Sequence, residues 1–108
     1  MHDWNIPYQT KGGNMPFQND KVYQFTQNGI EWLRTGQMGV YGIFRQGAWI
    51  YVGSGDIRAR LLDHLNGDNP CITRERPTNW AAEETSDYVN REKVLIREFD
   101  PICNKKVG

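Results

Sequence analysis

The chain has 108 residues, with 13 Lys or Arg against 13 Asp or Glu, 38% hydrophobic and 24% charged residues. That is room for one small domain, and the mix excludes both a two-domain architecture and a chain disordered by high charge and low hydrophobicity. A formal charge of zero also excludes a highly cationic coating protein, so contact with nucleic acid has to come from a local cluster of Arg and Lys.

The turn-rich Gln9-Thr10-Lys11-Gly12-Gly13-Asn14 makes residues 1 to 20 an irregular arm with Trp4, Tyr8 and Phe17 as anchors. Asn28, with Glu31 three residues on, caps a short helix closed by Gly36 and extended backwards through Val22 and Phe25. Val40 to Phe44 and Ala48 to Val52 form a hairpin around Arg45-Gln46-Gly47. Ile57, Leu61 and Leu65 recur at helical spacing, which predicts a helix from about 56 to Asn66 stopped by Gly67. Gly67 to Pro77 reads as a loop, and Trp80 to Glu84 as a further strand. Asp87 to Phe99 is a helix capped by Ser86 and ended by Asp100-Pro101. The order hairpin, helix, strand, helix predicts an α+β fold, a small antiparallel sheet with helices packed on it.

No apolar run approaches the roughly 20 residues that span a bilayer, and Met1-His2-Asp3-Trp4 lacks the pattern of a signal peptide. A soluble, intracellular protein, cytoplasmic and with no membrane partner, is expected. In that compartment Cys71 and Cys103 are expected as unbridged small residues, and with only His2 and His64 they form no closely spaced zinc set.

Hairpin register decides which side chains share a face. A two-residue loop, Gln46-Gly47, pairs Arg45 with Ala48 and sends Tyr41 and Tyr51 to opposite faces. A three-residue loop pairs Phe44 with Ala48, puts Gly47 at its left-handed third position, and sets Tyr41 across from Tyr51. In that register Gly39-Val40-Tyr41 and Tyr51-Val52-Gly53 pair residue for residue, leaving two phenols beside a gap free of side chains. Cross-strand tyrosines are also simply good sheet formers.

Arg60 and His64, four residues apart, border the apolar stripe of the first long helix, and Arg58-Ala59-Arg60 is either a small basic cluster or a solvated flank. On the last helix Glu92 falls inside the stripe of Tyr88, Leu95 and Phe99. A carboxylate there has to reach solvent, pair with Arg60, or hold a metal ion.

Together, Gly39-Val40-Tyr41, Tyr51-Val52-Gly53, Arg60, His64, Glu92 and Asn104 resemble the GIY-YIG nuclease pattern over residues 39 to 104, with valine in place of isoleucine in both motifs. The resemblance implies a three-stranded antiparallel sheet flanked by helices over 39–108, preceded by an arm and short helix over 1–38. It implies a metal-dependent endonuclease that hydrolyses DNA phosphodiesters with one divalent ion, Mg²⁺ or Mn²⁺. Glu92 takes the place of the metal-binding glutamate, and Arg60 that of the arginine on the phosphate. Tyr41, Tyr51 and His64 fall on the positions that include the general base. Gly39, Gly53 and Asn104 support the site.

Physically, a lone carboxylate leaves Mg²⁺ most of its waters and open positions for phosphate. A tyrosine base requires a pKa brought down from about 10 by nearby positive charge. Arg58, Arg74 and Arg76 are candidate DNA contacts, the last two in the Gly67 to Arg76 loop. A standalone domain of this size is expected to cleave loosely or by substrate structure, or to draw specificity from a partner protein or from homodimerisation. Two other classes remain open: a non-catalytic nucleic-acid-binding module on the same fold, and a protein-interaction domain using the arm.

Overall fold

The computed structural model describes residues 21–104. The expected arm, with Trp4, Tyr8 and Phe17, lies outside the described residues. In chain order the elements are β1 (Tyr23–Gln24), α1 (Gln27–Ile30), β2 (Met38–Arg45), β3 (Ala48–Asp56), α2 (Ile57–Leu65), α3 (Pro70–Arg74), β4 (Asn79–Glu84) and α4 (Tyr88–Phe99), followed by a 3-10 turn, Ile102–Asn104. The fold is α+β, and its antiparallel sheet has four strands in the order β1-β4-β2-β3.

The fourth strand corrects the expected three. The residues expected to extend the first helix backwards instead place Tyr23 opposite Trp80 and Gln24 opposite Asn79. The rings of Tyr23 and Trp80 stack at 4.6 Å, and Asn79 Nδ2 donates to the Tyr23 carbonyl at 3.2 Å. Thr26, not Asn28, caps α1: its Oγ1 accepts from the Gly29 N–H at 3.0 Å. This single turn is too short to hold itself helical and is secured by burial of Ile30 and the adjacent Phe25 in the core.

The hairpin takes the first of the two registers left open. Its loop is the two-residue one, with Arg45 opposite Ala48 and Gly47 at φ +85°. A β-bulge at Ile50 then shifts the pairing, so that Phe44 faces Trp49 but Ile43 faces Tyr51. Beyond the bulge Tyr41 lies opposite Gly53 and Gly39 opposite Gly55, not tyrosine against tyrosine. The extra residue inverts the alternation once, which returns Tyr51 to the face of Tyr41 as a diagonal neighbour.

Asp56 caps α2 by accepting from the Ala59 N–H at 3.2 Å, and Gly67, at φ +92°, follows its end. The expected loop after it contains α3, for which Asn69-Pro70 is the start signal: Asn69 Oδ1 accepts from the Cys71 N–H at 3.0 Å, and Pro70 opens the helix. α4 begins with Asp87, not Ser86, at its cap, and ends where Asp100 turns left-handed at φ +48° before Pro101.

Two apolar layers sandwich the sheet. Tyr41, Ile43, Trp80 and Ala82 pack with Ile30, Ile57, Leu61 and Ile72 on one face. Val40, Phe44, Val52 and Ala81 pack with Leu95 of α4 on the other. On that second face Arg91 reaches the buried Glu83 carboxylate with two donors, at 3.1 and 3.2 Å. Cys71 and Cys103 form a disulfide, correcting the expectation of unbridged residues; α3 and the C-terminal turn bring their Cα atoms to 5.7 Å. No helix among the described residues is long and apolar enough to cross a membrane.

Candidate functional site

Tyr41 projects from β2, a central strand, and is 1% exposed. Its phenol lies over Gly53 of β3: a Cβ there would overlap the Tyr41 ring and crowd Tyr51. Gly53 is therefore glycine because Tyr41 occupies its side-chain space, and the expected open gap is filled. Gly39 serves a different purpose, since a Cβ on it would overlap the backbone carbonyl of Glu83 on β4.

His64 reaches the same phenol from α2. Its Nε2 is 2.8 Å from Tyr41 Oη, and its Nδ1 is 2.8 Å from Asp68 Oδ1, one turn further along the chain. A carboxylate only accepts hydrogen bonds, so neutral His64 carries its proton on Nδ1 and leaves Nε2 to accept from the Tyr41 hydroxyl. Tyr51, half-buried on the edge strand β3, sets its ring edge-on to His64 at 5.0 Å and 6.3 Å from the Tyr41 ring. Arg60, one turn before His64, pairs with Asp63 at 3.3 Å, and its charge acts on the Tyr41 hydroxyl.

Burial pushes the Tyr41 hydroxyl well above the ordinary tyrosine pKa, and the neighbouring Tyr51 adds to it; Arg60 pulls the other way and does not prevail. Burial, followed by the Glu92 charge, raises Tyr51 as well. Among the chain's own groups desolvation outweighs one half-exposed guanidinium, so these alone lower neither tyrosine. His64 is lowered, again chiefly by burial and against the pull of Asp68, which keeps the imidazole neutral near pH 7.

Glu92 arrives from the other face. Half-buried on α4, it accepts the Ser54 hydroxyl on Oε1, and Ser54 sits opposite Val40 on the α4 side of the sheet. Of the alternatives the sequence left open for Glu92, the pair with Arg60 is not formed, since Arg60 takes Asp63. The Glu92 charge is nonetheless felt by both tyrosines, so carboxylate and phenols flank β3 from its two sides. Asn104 fixes that edge strand: its Oδ1 accepts from the Val52 N–H at 2.8 Å and its Nδ2 donates to the Val52 carbonyl at 2.9 Å. The motif residues Tyr51 and Gly53 adjoin this doubly bonded position.

Five of the residues singled out in the sequence, Tyr41, Tyr51, Arg60, His64 and Gly53, therefore meet at one place, with Glu92 and Asn104 on the same strand's flank. Arg58 is half-exposed on α2, and Arg74 and Arg76 are exposed at and beyond the end of α3. These three take no part in the contacts that hold the cluster together. Sequence reasoning missed Asp68 and Ser54. The i,i+4 spacing of His64 and Asp68 was an available signal; Ser54 had none, because its partner is 38 residues away.

Among the described residues no three of His, Cys, Asp and Glu gather closely enough to cage a metal ion. Glu92 suits an ion held by one carboxylate and otherwise by water: with Oε1 engaged by Ser54, Oε2 is the oxygen to offer. Comparisons with family models, curated proteins and solved structures give no match to this chain.

Proposed function

We propose that this chain is a metal-dependent endonuclease of the GIY-YIG type, hydrolysing DNA phosphodiesters. The observation that carries the reading is the buried Tyr41–His64–Asp68 chain, with the Arg60 charge acting on the same hydroxyl. A structural tyrosine needs one partner; this one is coupled to a neutral imidazole that is itself oriented by a carboxylate, as a proton relay requires.

Burial keeps the Tyr41 hydroxyl protonated in the free chain. As water attacks phosphorus, Tyr41 Oη takes the water's proton while its own passes to His64 Nε2, and Asp68 stabilises the imidazolium that results. Arg60 donates to the non-bridging phosphate oxygens, replacing solvent with a preorganised planar fork. Tyr51, kept protonated by burial and by Glu92, is the hydrogen-bond donor on the open edge strand. Glu92 would hold Mg²⁺ or Mn²⁺, which when bound supplies charge neutralisation at the phosphate and help for the leaving oxygen.

Cleavage of plasmid and oligonucleotide DNA with Mg²⁺ or Mn²⁺ tests this directly. Wild type should cut and stop on chelation, and Glu92→Ala and Arg60→Ala should each lose most of the activity. Cleavage that survives both substitutions overturns the reading. DNA bound without cleavage and without regard to chelator would leave a binding module in its place.

A further inference from the structure

A second concave site lies on the same sheet face, one strand over from Tyr41. Since Tyr41 pairs with Ala82, the alternating residues Trp80, Ala82 and Glu84 of β4 share its face. They line a cleft of about 270 Å³ whose other walls include Tyr23, Gln37 and Trp32. Trp32 is 76% exposed, an unusual position for the largest apolar side chain. Trp80 is 1% exposed, and its indole Nε1 is buried with no hydrogen-bond partner among the described residues. Buried donors are nearly always satisfied, by ordered water or by an acceptor that enters the cleft.

We infer that this cleft binds a nucleobase of the substrate strand, guanine by preference. The inference rests on the nucleic-acid substrate proposed above. The exposed Trp32 indole, beside the partly exposed Tyr23 ring that Trp80 backs, is a stacking platform of the kind that holds unpaired bases. The carboxylate at Glu84 repels phosphate, so the part of a nucleotide admitted here is the base. Guanine presents two adjacent donors, N1–H and N2–H, to the two oxygens of Glu84, and its O6 and N7 offer acceptors for the Trp80 N–H. Adenine and cytosine each set a ring acceptor beside their amino group, which would face the carboxylate unfavourably.

The test uses ¹⁵N–¹H spectra of the full chain, in which the indole N–H signals of the 4 tryptophans report separately. Guanosine monophosphate should shift the Trp80 and Trp32 signals to saturation, at least five-fold tighter than adenosine or cytidine monophosphate. Ribose 5-phosphate should have no effect. Trp49, which packs with the α4 side of the sheet, should stay in place. Trp32→Ala should weaken binding on the order of ten-fold or more, and Glu84→Gln should erase the preference for guanine.

A Trp80 signal indifferent to every nucleotide overturns the inference, as do equal shifts at Trp49 or an equal response to ribose 5-phosphate. Movement of the Trp80 signal on replacing Trp4 and Phe17 by Ala, with none on adding nucleotide, would make the chain's own arm the occupant and likewise overturn it. Binding needs no catalysis, so the two readings fail separately. Guanosine monophosphate bound by a chain that never cuts DNA sinks only the endonuclease, and cleavage without nucleotide binding sinks only the base site.

Discussion

Replacing Asn104 with Ala removes two hydrogen bonds at once, the one from the Val52 N–H at 2.8 Å and the one to the Val52 carbonyl at 2.9 Å. β3 is an edge strand, so these backbone groups have no neighbouring strand to fall back on. At a net contribution near 1 kcal/mol each, the loss is about 2 kcal/mol. For a domain of this size that lowers Tm by roughly 9 °C, taking the unfolding entropy typical per residue. Asn104→Asp sharpens the test. Its carboxylate keeps an acceptor for the Val52 N–H but turns a second acceptor toward the Val52 carbonyl, so at pH 7 it should be at least as destabilised as the Ala variant. Protonation near pH 4 restores an O–H donor, and the gap between Asn104→Asp and wild type should narrow as the pH falls from 7 to 4. Thermal melts followed by circular dichroism across that range provide the measurement. An Asn104→Ala variant melting within 2 °C of wild type, or an Asp variant whose gap is insensitive to pH, would refute the account of Asn104 as the clamp on β3.

Tyr41→Phe should lower the cleavage rate by on the order of 10² to 10⁴-fold, because it removes the relay oxygen. It should also cost about 1–3 kcal/mol in denaturant unfolding, because His64 Nε2 is left buried without its partner. In Gly53→Ala the new methyl displaces the Tyr41 phenol, so about 1–3 kcal/mol of overpacking should accompany loss of the Tyr41–His64 contact and of activity; retained activity would contradict the filled gap. Cys71→Ser/Cys103→Ser, or full reduction, should cost about 3–4 kcal/mol for a bridge spanning 32 residues, read as a lowered denaturant midpoint. His64 is held below its ordinary pKa in the fold. The unfolded chain therefore binds its proton more readily, and this contribution to stability is complete above about pH 6.5 and declines as the pH falls below it. Tyr41, raised in the fold, contributes in the opposite direction, with stability intact below about pH 10 and lost above it. His64→Asn should flatten the acid limb of a plot of unfolding free energy against pH, and Tyr41→Phe the alkaline limb.

Much of the candidate site could be read from one dimension because its signals were local. The spacing of Ile57, Leu61 and Leu65 placed Arg60 and His64 on one helical flank, and turn chemistry at Gly47 located the hairpin. Glu92 stood out as a charge within an apolar stripe. Other features escaped because their causes lie between segments. The strand at Tyr23–Gln24 is only two residues long and exists through the stack of Tyr23 on Trp80 and the Asn79 bond. The bulge at Ile50 cannot be counted from alternation, yet it decides that Tyr41 and Tyr51 share a face. The disulfide depended on α3, whose Asn69-Pro70 signal reads as a loop until Ile72 is seen buried.

Composition and periodicity by themselves determined an α+β fold and the elements that carry Tyr41, Tyr51, Arg60, His64 and Glu92, because hydrophobic spacing and turn chemistry act within a few residues of chain. Only the tertiary structure decided how those residues meet. Burial raised both tyrosines and lowered His64, Asp68 supplied the second partner of His64, Ser54 rather than Arg60 met Glu92, and the Tyr41 ring filled the space above Gly53. Each of these depends on desolvation and close packing between segments distant in sequence, and no local pattern encodes that.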